Sequence, residues 1–449
     1  MRKLFGTDGI RAVAGVAPLD RKTIYAIGLA LAHSLRKHVQ EPRVVFGMDT
    51  RESSQWIAAT LTHGLRDGGA EAANAGVIPT PGVAFLAHTH GFAAGIVISA
   101  SHNPWQDNGI KIFGPDGYKL ADAVELNIEA EIFERLATVE EPAAATASLP
   151  AVNADFRRDY IEFLLRNVPE LRLEGKTIVL DCANGAASVI APLLFAQMGG
   201  KLVLTHCDPN GRNINERCGA LHPEIVAREV VANHADLGMT FDGDADRALF
   251  ADEHGNVVNG DAVLLVAARD LQARGLLRSD LVVATTMSNM GLETALGRSG
   301  IRMLRAPVGD KYVLEEMQRS HAVLGGEQSG HILFTDRCTT GDGLLTALVM
   351  LDILHRANQS LATLKQDLKV FPQVIVNVRV REKIPLETLS TVVTTICDAE
   401  TELHGNGRIV VRYSGTEALA RVMIEAESEE VMQRHATRIA DAIRGEIGV

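Results

Sequence analysis

Three stretches of the chain repeat one grammar: an apolar run, a polar turn bearing Gly, Asp or Asn, then a helical pattern. They are RVVFGMDTRESS (43–54), KTIVLDCANGAAS (176–188) and DLVVATTMSNMGLE (280–293). Short buried runs followed by crossover helices are what parallel strands require, so the chain is expected to fold as α/β units. At about 100–200 residues per domain, a chain of 449 residues has room for these units and one more piece. We therefore expect three related α/β domains with mixed, largely parallel sheets, followed by a smaller C-terminal α+β domain.

The boundaries follow from local composition. Residues 138–150, TVEEPAAATASLP, are Ala-, Pro- and Thr-rich and acidic, and they read as a linker. Further changes of pattern fall near Asn256 and between Asp367 and Pro372, giving expected domains 1–150, 151–255, 256–368 and 369–449. In the last of these VIVNVRVR (374–381) alternates as a half-exposed strand should, and RIVVRY and ARVMIEAE follow as further strands. The final helix should open at Ser428, with Glu429 and Glu430 in its first turn where the helix dipole favours acids.

Charge excludes some functions. A net charge of −12 argues against nonspecific nucleic-acid binding, yet leaves room for an anionic substrate gripped by a few arginines. No apolar run reaches the roughly 18 residues of a membrane span. The start MRKLFGTDGIR lacks the apolar core of a signal peptide, and five cysteines without a CxxC pair read as free thiols. A cytoplasmic protein is expected.

Four motifs carry candidate chemistry. In GIVISASHNP an apolar strand ends at Ser101, His102, Asn103 and Pro104, where α/β proteins place reactive groups. An exposed serine is expected there, either reactive or capping the next helix. DGDADR sets Asp242, Asp244 and Asp246 just after the apolar run LGMTF. Carboxylates so close repel unless a cation sits among them, and hard oxygen donors imply Mg²⁺ or Ca²⁺; a solvated acidic turn is the alternative. An EF-hand is rejected, because Arg247 stands where its loop needs Gly. GGEQSGH (325–331) gathers Glu327, Ser329 and His331, either a hydroxyl-reading loop or a plain glycine turn. RYSGTEALAR (412–421) offers hydroxyls and guanidinium forks of the kind that hold a phosphate dianion. TDGIR and NGIK add Arg11 and Lys111, as cleft or surface cations.

Taken together, FGTDGIR, ASHNP, DGDADR, GEQSGH and RYSGTE, in this order along nearly the whole chain, resemble the α-D-phosphohexomutase family. LDCANGAAS, CGALHPE, TTMSNMGLE, VGDKYVLEEM and Gln328 resemble its bacterial amino-sugar branch. The resemblance implies domains around a central cleft and an isomerase that moves a phosphoryl group by way of a phosphoserine. Ser101 would be that phosphoserine. Asp242, Asp244 and Asp246 would hold one Mg²⁺, completed by a phosphoserine oxygen. Arg247 would face the transferring phosphate, and Arg11, Lys111 and His331 would surround the reacting oxygen, the last two for acid–base work. Glu327 and Ser329 would read the sugar. Arg412, Ser414, Gly415, Thr416 and Arg421 would grip the phosphate that is not reacting. The implied substrates are glucosamine 6-phosphate and glucosamine 1-phosphate, with a sugar bisphosphate as activator, no nucleic acid or membrane, and a homodimer as the assembly to test. Phosphomannomutase or phosphoglucomutase activity is the nearest alternative, and a metal-dependent sugar phosphatase a more remote one. Ala12, Tyr413 and Ala418 depart from the family pattern without touching the phosphate donors.

Overall fold

The computed structural model describes residues 4–6, 8–142, 148–404, 407–414 and 418–449. They divide into two compact units: residues 1–287 with 301–366, and residues 288–300 with 367–449.

The first unit holds three mixed sheets. The first consists of β1 (Ile10–Val13), β2 (Arg43–Met48), β3 (Glu71–Val77), β4 (Ala94–Ile98) and β5 (Asp107–Phe113), in the order β1-β5-β4-β2-β3. The second has β6 (Thr177–Asp181), β7 (Lys201–Thr205), β8 (Leu237–Phe241), β9 (Ala248–Ala251) and β10 (Val257–Val258), ordered β10-β9-β8-β6-β7. The third has β11 (Leu281–Thr285), β12 (Arg302–Ala306), β13 (Leu324–Gly326) and β14 (Ile332–Phe334), ordered β12-β11-β13-β14.

These orders are one topology used three times. In each sheet a central strand (β2, β6 or β11) has parallel neighbours on both sides, and the inner neighbour (β4, β8 or β13) pairs antiparallel with the next strand in the chain. The central strands are the apolar runs of the repeated sequence grammar. Buried on both faces, they need no polar alternation: Val44 to Met48 are buried without interruption, as are Ile178 to Asp181 and Leu281 to Thr285. Ser101, Asp242 and Glu327 therefore stand at equivalent places, in the turn between the inner parallel strand and its antiparallel successor.

The second unit is built on β15 (Gln373–Arg379), β16 (Gly407–Tyr413) and β17 (Leu419–Ala426), an antiparallel sheet ordered β15-β17-β16. Helices Ser390–Leu403 and Glu429–Ile447 pack on it through Val392, Ala436, Ile439 and Ile443. Ser428 caps the last helix by accepting from Val431 N, with Glu429 and Glu430 in the first turn as expected. Residues 288–300 join this unit through Asn289, whose amide exchanges hydrogen bonds with the backbone of Phe371 at 2.9 and 3.0 Å.

Candidate active site

Ser101 is held in an uncommon conformation. Its φ of 53° is left-handed, a region that non-glycine residues seldom occupy. Ser101 N donates to Ser99 Oγ at 2.9 Å, and Ser99 Oγ donates to Asp49 Oδ2 at 2.7 Å. The expectation of an exposed serine is corrected: Ser101 is 1% exposed, because the aspartate loop covers it. A capping role is also excluded, since β5 and not a helix follows. The Ser101 hydroxyl donates to Asp242 Oδ2 at 2.5 Å, across 141 residues of sequence.

The aspartate loop is buried as well. Asp242, Asp244 and Asp246 are each 5% exposed or less, and one oxygen from each lies within 4.8 Å of the others. Close backbone approach permits this: a Cβ on Gly185 would sit 2.3 Å from Gly243 O, so the turn after β6 can press against this loop only as glycine. Asp244 Oδ2 accepts from Thr80 Oγ1 and from Lys111 Nζ (2.8 Å). Among the described residues, Asp244 Oδ1 and Asp246 Oδ1 make no hydrogen bond. Asp246 Oδ1 lies 3.7 Å from His331 Nδ1 and 3.8 Å from Arg247 Nε. Burial, then the charges of Asp246 and Asp244, push the Asp242 carboxyl well above its ordinary range. Two buried carboxylate oxygens without donors, beside a carboxyl strained by its neighbours, fit a hard divalent cation.

Cations surround this acidic centre. Lys111, on β5, is buried rather than solvated, with Nζ at 3.0 Å from Asp8 Oδ2 and 3.5 Å from Asp246 Oδ2. Burial disfavours its charge, but Asp244 and Asp8 outweigh that and raise it well above the usual lysine range. Burial would likewise raise Asp246, yet Lys111 and His331 hold it well below the carboxylate range. Arg247 N donates to Asp242 Oδ1 at 3.3 Å, and Arg11 pairs with Asp8.

The glycine-flanked loop after β13 completes the cluster. His331 packs so closely on Gly341 that a Cβ there would meet its ring at 2.3 Å. Burial opposes its protonation, but Asp246 and Asp310 raise it to about 9. Glu327 Oε1 accepts from Gly309 N at 3.0 Å, and Ser329 Oγ donates to Glu327 Oε2 at 3.1 Å. This is a fixed turn presenting a carboxylate and a hydroxyl.

Several members escaped sequence analysis. Asp8, Lys119 and Asp310 form a chain of ion pairs, with Lys119 Nζ 2.5 Å from Asp8 Oδ1 and also paired to Asp310. Thr80 and the buried Asp49–Arg51 pair were likewise missed. Asp49-Thr50-Arg51 stands at the polar turn of the first repeated segment, a signal that was available. His102 adjoins Ser101, its Nδ1 3.3 Å from Ser101 Oγ. Burial, then Arg247 and Arg11, press it down to about 4, so it is neutral at pH 7.

In the second unit, Arg412 on β16 stands directly opposite Arg421 on β17. Like charges at paired positions repel unless an anion intervenes. Ser414 is buried, and its carbonyl accepts from Lys383 Nζ at 2.6 Å. Gly415 and Thr416 lie outside the described residues.

Comparison with known proteins agrees from end to end. Models of the phosphoglucomutase/phosphomannomutase family match as alpha/beta/alpha domain I (2–138), domain II (158–255), domain III (259–371) and the C-terminal domain (375–442). A phosphoglucosamine mutase of Koribacter versatilis is 60% identical, over 100% of this chain and 98% of its own, and one of Solibacter usitatus is 52% identical, over 100% and 99%. Among solved structures, a phosphoglucomutase/phosphomannomutase family protein of Burkholderia thailandensis superposes with a TM-score of 0.78 at 23% identity, over 99% of both chains. The Aspergillus fumigatus N-acetylphosphoglucosamine mutase, solved with GlcNAc-6P and magnesium, gives 0.67 at 19% identity, over 99% of this chain and 96% of its own. With all four domain types in order and full-length relatives this similar, the chain belongs to the phosphoglucosamine mutase family of α-D-phosphohexomutases, isomerases that move a phosphoryl group within one sugar.

Proposed function

We propose that the chain interconverts glucosamine 6-phosphate and glucosamine 1-phosphate through phosphorylated Ser101 and a bisphosphorylated sugar. The observation that carries this is the Ser101 hydroxyl set 2.5 Å from Asp242, within a buried cluster of carboxylates ringed by Lys111, Arg247 and His331. A phosphoserine brings about −1.5 to −2 charges, which a cleft tolerates only beside cations and donors. Mg²⁺, held by Asp242, Asp244 and Asp246 with a phosphoserine oxygen, would supply charge that stabilises the ester as its phosphoryl leaves.

The protein's own groups do the rest. Arg247 and Arg11 face the equatorial oxygens of the moving phosphoryl. As the sugar O–P bond forms and the Ser101 Oγ–P bond breaks, the sugar hydroxyl loses a proton and Oγ gains one. His331 and Lys111 are both held as cations at neutral pH in the free site. For the protons to balance, one of them gives Oγ its proton while the other enters the step neutral and takes the proton of the sugar hydroxyl, and the two exchange roles in the return half. Glu327 and Ser329 hold sugar hydroxyls or the amino group. Arg412, Ser414, Gly415, Thr416 and Arg421 hold the second phosphate; facing arginines at 412 and 421 suit a dianion. The bisphosphorylated sugar must turn before returning its other phosphate to Ser101, and added sugar bisphosphate activates by the same route.

The matched family domains support the four-part division at 150, 255 and 368. In the cell, the product would supply amino-sugar precursors such as UDP-N-acetylglucosamine for the wall, in the cytoplasm and from a homodimer. The test is a coupled assay, with Mg²⁺ and a trace of bisphosphate, on glucosamine, mannose and glucose 6-phosphates, beside the intact mass of wild type and Ser101→Ala. Preference for glucosamine, with a phosphate mass lost in the variant, is expected. Preference for mannose or glucose would overturn the substrate, and full activity in Ser101→Ala would overturn the phosphoserine.

A further inference from the structure

Beneath the aspartate loop, the ends of β6 and β7 bring together a second set of metal-ligating side chains. Asp181 is the last residue of β6, His206 follows β7, and Cys218 immediately precedes Gly219. One donor atom from each lies within 4.8 Å of the other two. The mutase reaction uses none of them.

The three are arranged as ligands are. Asp181 is fully buried, and its oxygens accept from Ala183 N at 2.9 Å and Gly219 N at 3.1 Å. Those bonds fix the carboxylate while leaving each oxygen a further lone pair, the outer-shell support that metal ligands require. Among the described residues, buried His206 Nδ1 finds no well-aligned hydrogen-bond partner and faces Asp181 Oδ1 at 3.3 Å. That separation matches the edge of a tetrahedron whose nitrogen and oxygen ligands stand about 2.0–2.1 Å from the centre. His206 reaches this place with a left-handed φ of 48°. Cys218 is fully buried.

We propose that Asp181, His206 and Cys218 form a binding site for Zn²⁺ or a similar borderline-soft divalent ion, distinct from the aspartate triplet and with one position left to water. The donor set decides the ion. One carboxylate, one imidazole and one thiolate suit zinc, whereas the three carboxylates of the catalytic loop suit a hard cation. Bound there, the ion ties together turns that support the aspartate loop: a Cβ on Gly219 would meet Phe241 O at 2.8 Å, and Ala186 N donates to Gly243 O at 2.8 Å.

The test uses the full chain with excess Mg²⁺ to occupy the aspartate triplet, and Co²⁺ as the spectroscopic probe. One Co²⁺ per chain is expected, with a thiolate-to-cobalt charge-transfer band that stoichiometric Zn²⁺ abolishes. Cys218→Ser should remove the band. Cys218→Ser and His206→Gly should each weaken Zn²⁺ binding at least about tenfold, the lower bound seen even for outer-shell partners. Glycine suits the left-handed backbone at 206, so that variant should keep its fold by circular dichroism. Asp242→Asn should keep the band. Absence of any ion beyond the Mg²⁺ site, a band that survives Cys218→Ser, or a band lost in Asp242→Asn would each overturn the site.

Discussion

Arg51 and Asp49 form an ion pair at 2.8 Å in which neither side chain has any solvent exposure. Arg51 also donates to the carbonyls of Ser101 (2.9 Å), Asn103 (2.8 Å) and Asp107 (2.9 Å), and to Pro104 O. Asp49 in turn accepts from Ser54 Oγ and Ser99 Oγ. The serine turn after β4 is thus held by the polar turn after β2, its parallel neighbour. The left-handed φ of Ser101 persists because its surroundings leave no alternative.

The first prediction concerns that pair. Arg51→Met leaves a buried carboxylate without its cation and removes the guanidinium donors from the serine turn, a loss of about 3–5 kcal/mol. Urea unfolding should show it as a lowered midpoint. Arg51→Lys keeps the charge but not the planar fork, so it should rescue only part of the loss. An unchanged midpoint in Arg51→Met would contradict the role assigned here.

The pair also marks how far sequence reasoning reached. Ser101, the three aspartates and the Glu327–His331 loop were legible because each motif is local and its residue types fit one chemistry. Lys119, Asp310, Asp8 and Arg51 were not. Lys119 pairs with Asp310 across 191 residues and with Asp8 across 111, ranges at which spacing carries no signal. Arg51 pairs locally with Asp49, but its bonds to the serine turn reach about 50 residues along the chain. The parallel strands were readable as uninterrupted apolar runs. Their antiparallel successors β5, β9 and β14, which make the turns tight enough to bury Ser101 and Asp242, were not. Lys111 shows the same limit, for a lysine looks solvated until three carboxylates are seen around it.

Asp342 yields a pH prediction. It accepts from Tyr160 OH at 2.9 Å and caps the helix Gly343–Ala357 through Leu345 N, while burial raises its carboxyl to about 6. The native state therefore holds a proton that the unfolded chain releases near pH 3.9. Stability from this group is complete below about pH 4 and is lost as pH rises through about 6, because the native state binds the extra proton. Asp342→Asn retains a cap and a partner for Tyr160. It should be about 1–3 kcal/mol more stable than wild type above pH 6 and should lose its advantage near pH 4. Denaturant midpoints measured from pH 4 to 8 decide it; an advantage independent of pH would refute the titration.

The aspartate loop predicts opposed effects on stability and activity. Asp242 is pushed well above the carboxylate range by burial and by Asp246 and Asp244, so its ionised form costs the cation-free fold stability at pH 7. In chelator, Asp242→Asn should melt higher than wild type, by the roughly 0.5–2 kcal/mol that relief of a strained functional site commonly yields. Adding Mg²⁺ should raise the wild-type midpoint and not that of the variant. Turnover should be lost in the variant and, for wild type, in chelator. Equal Mg²⁺ stabilisation of both proteins would place the cation elsewhere.

The last prediction concerns the second unit alone. Arg412 and Arg421 occupy paired positions on β16 and β17, which sets their Cβ atoms about 4.5–5.5 Å apart. Two guanidinium forks side by side offer a phosphate dianion parallel charge-assisted hydrogen bonds. Arg412→Ala should leave the fold at least as stable as wild type in phosphate-free buffer, while wild type gains more stability than the variant as phosphate is added. A charge-assisted hydrogen bond contributes about 1.5–3 kcal/mol, so removing Arg412 should raise KM for the sugar phosphate roughly 10–100-fold and lower kcat far less. The double variant with Arg421→Ala should cost less than the sum of the single losses, because one phosphate needs both forks to be held bidentately. Steady-state kinetics of the four proteins measures this coupling. Strict additivity, or a loss confined to kcat, would show that the two arginines do not share a phosphate.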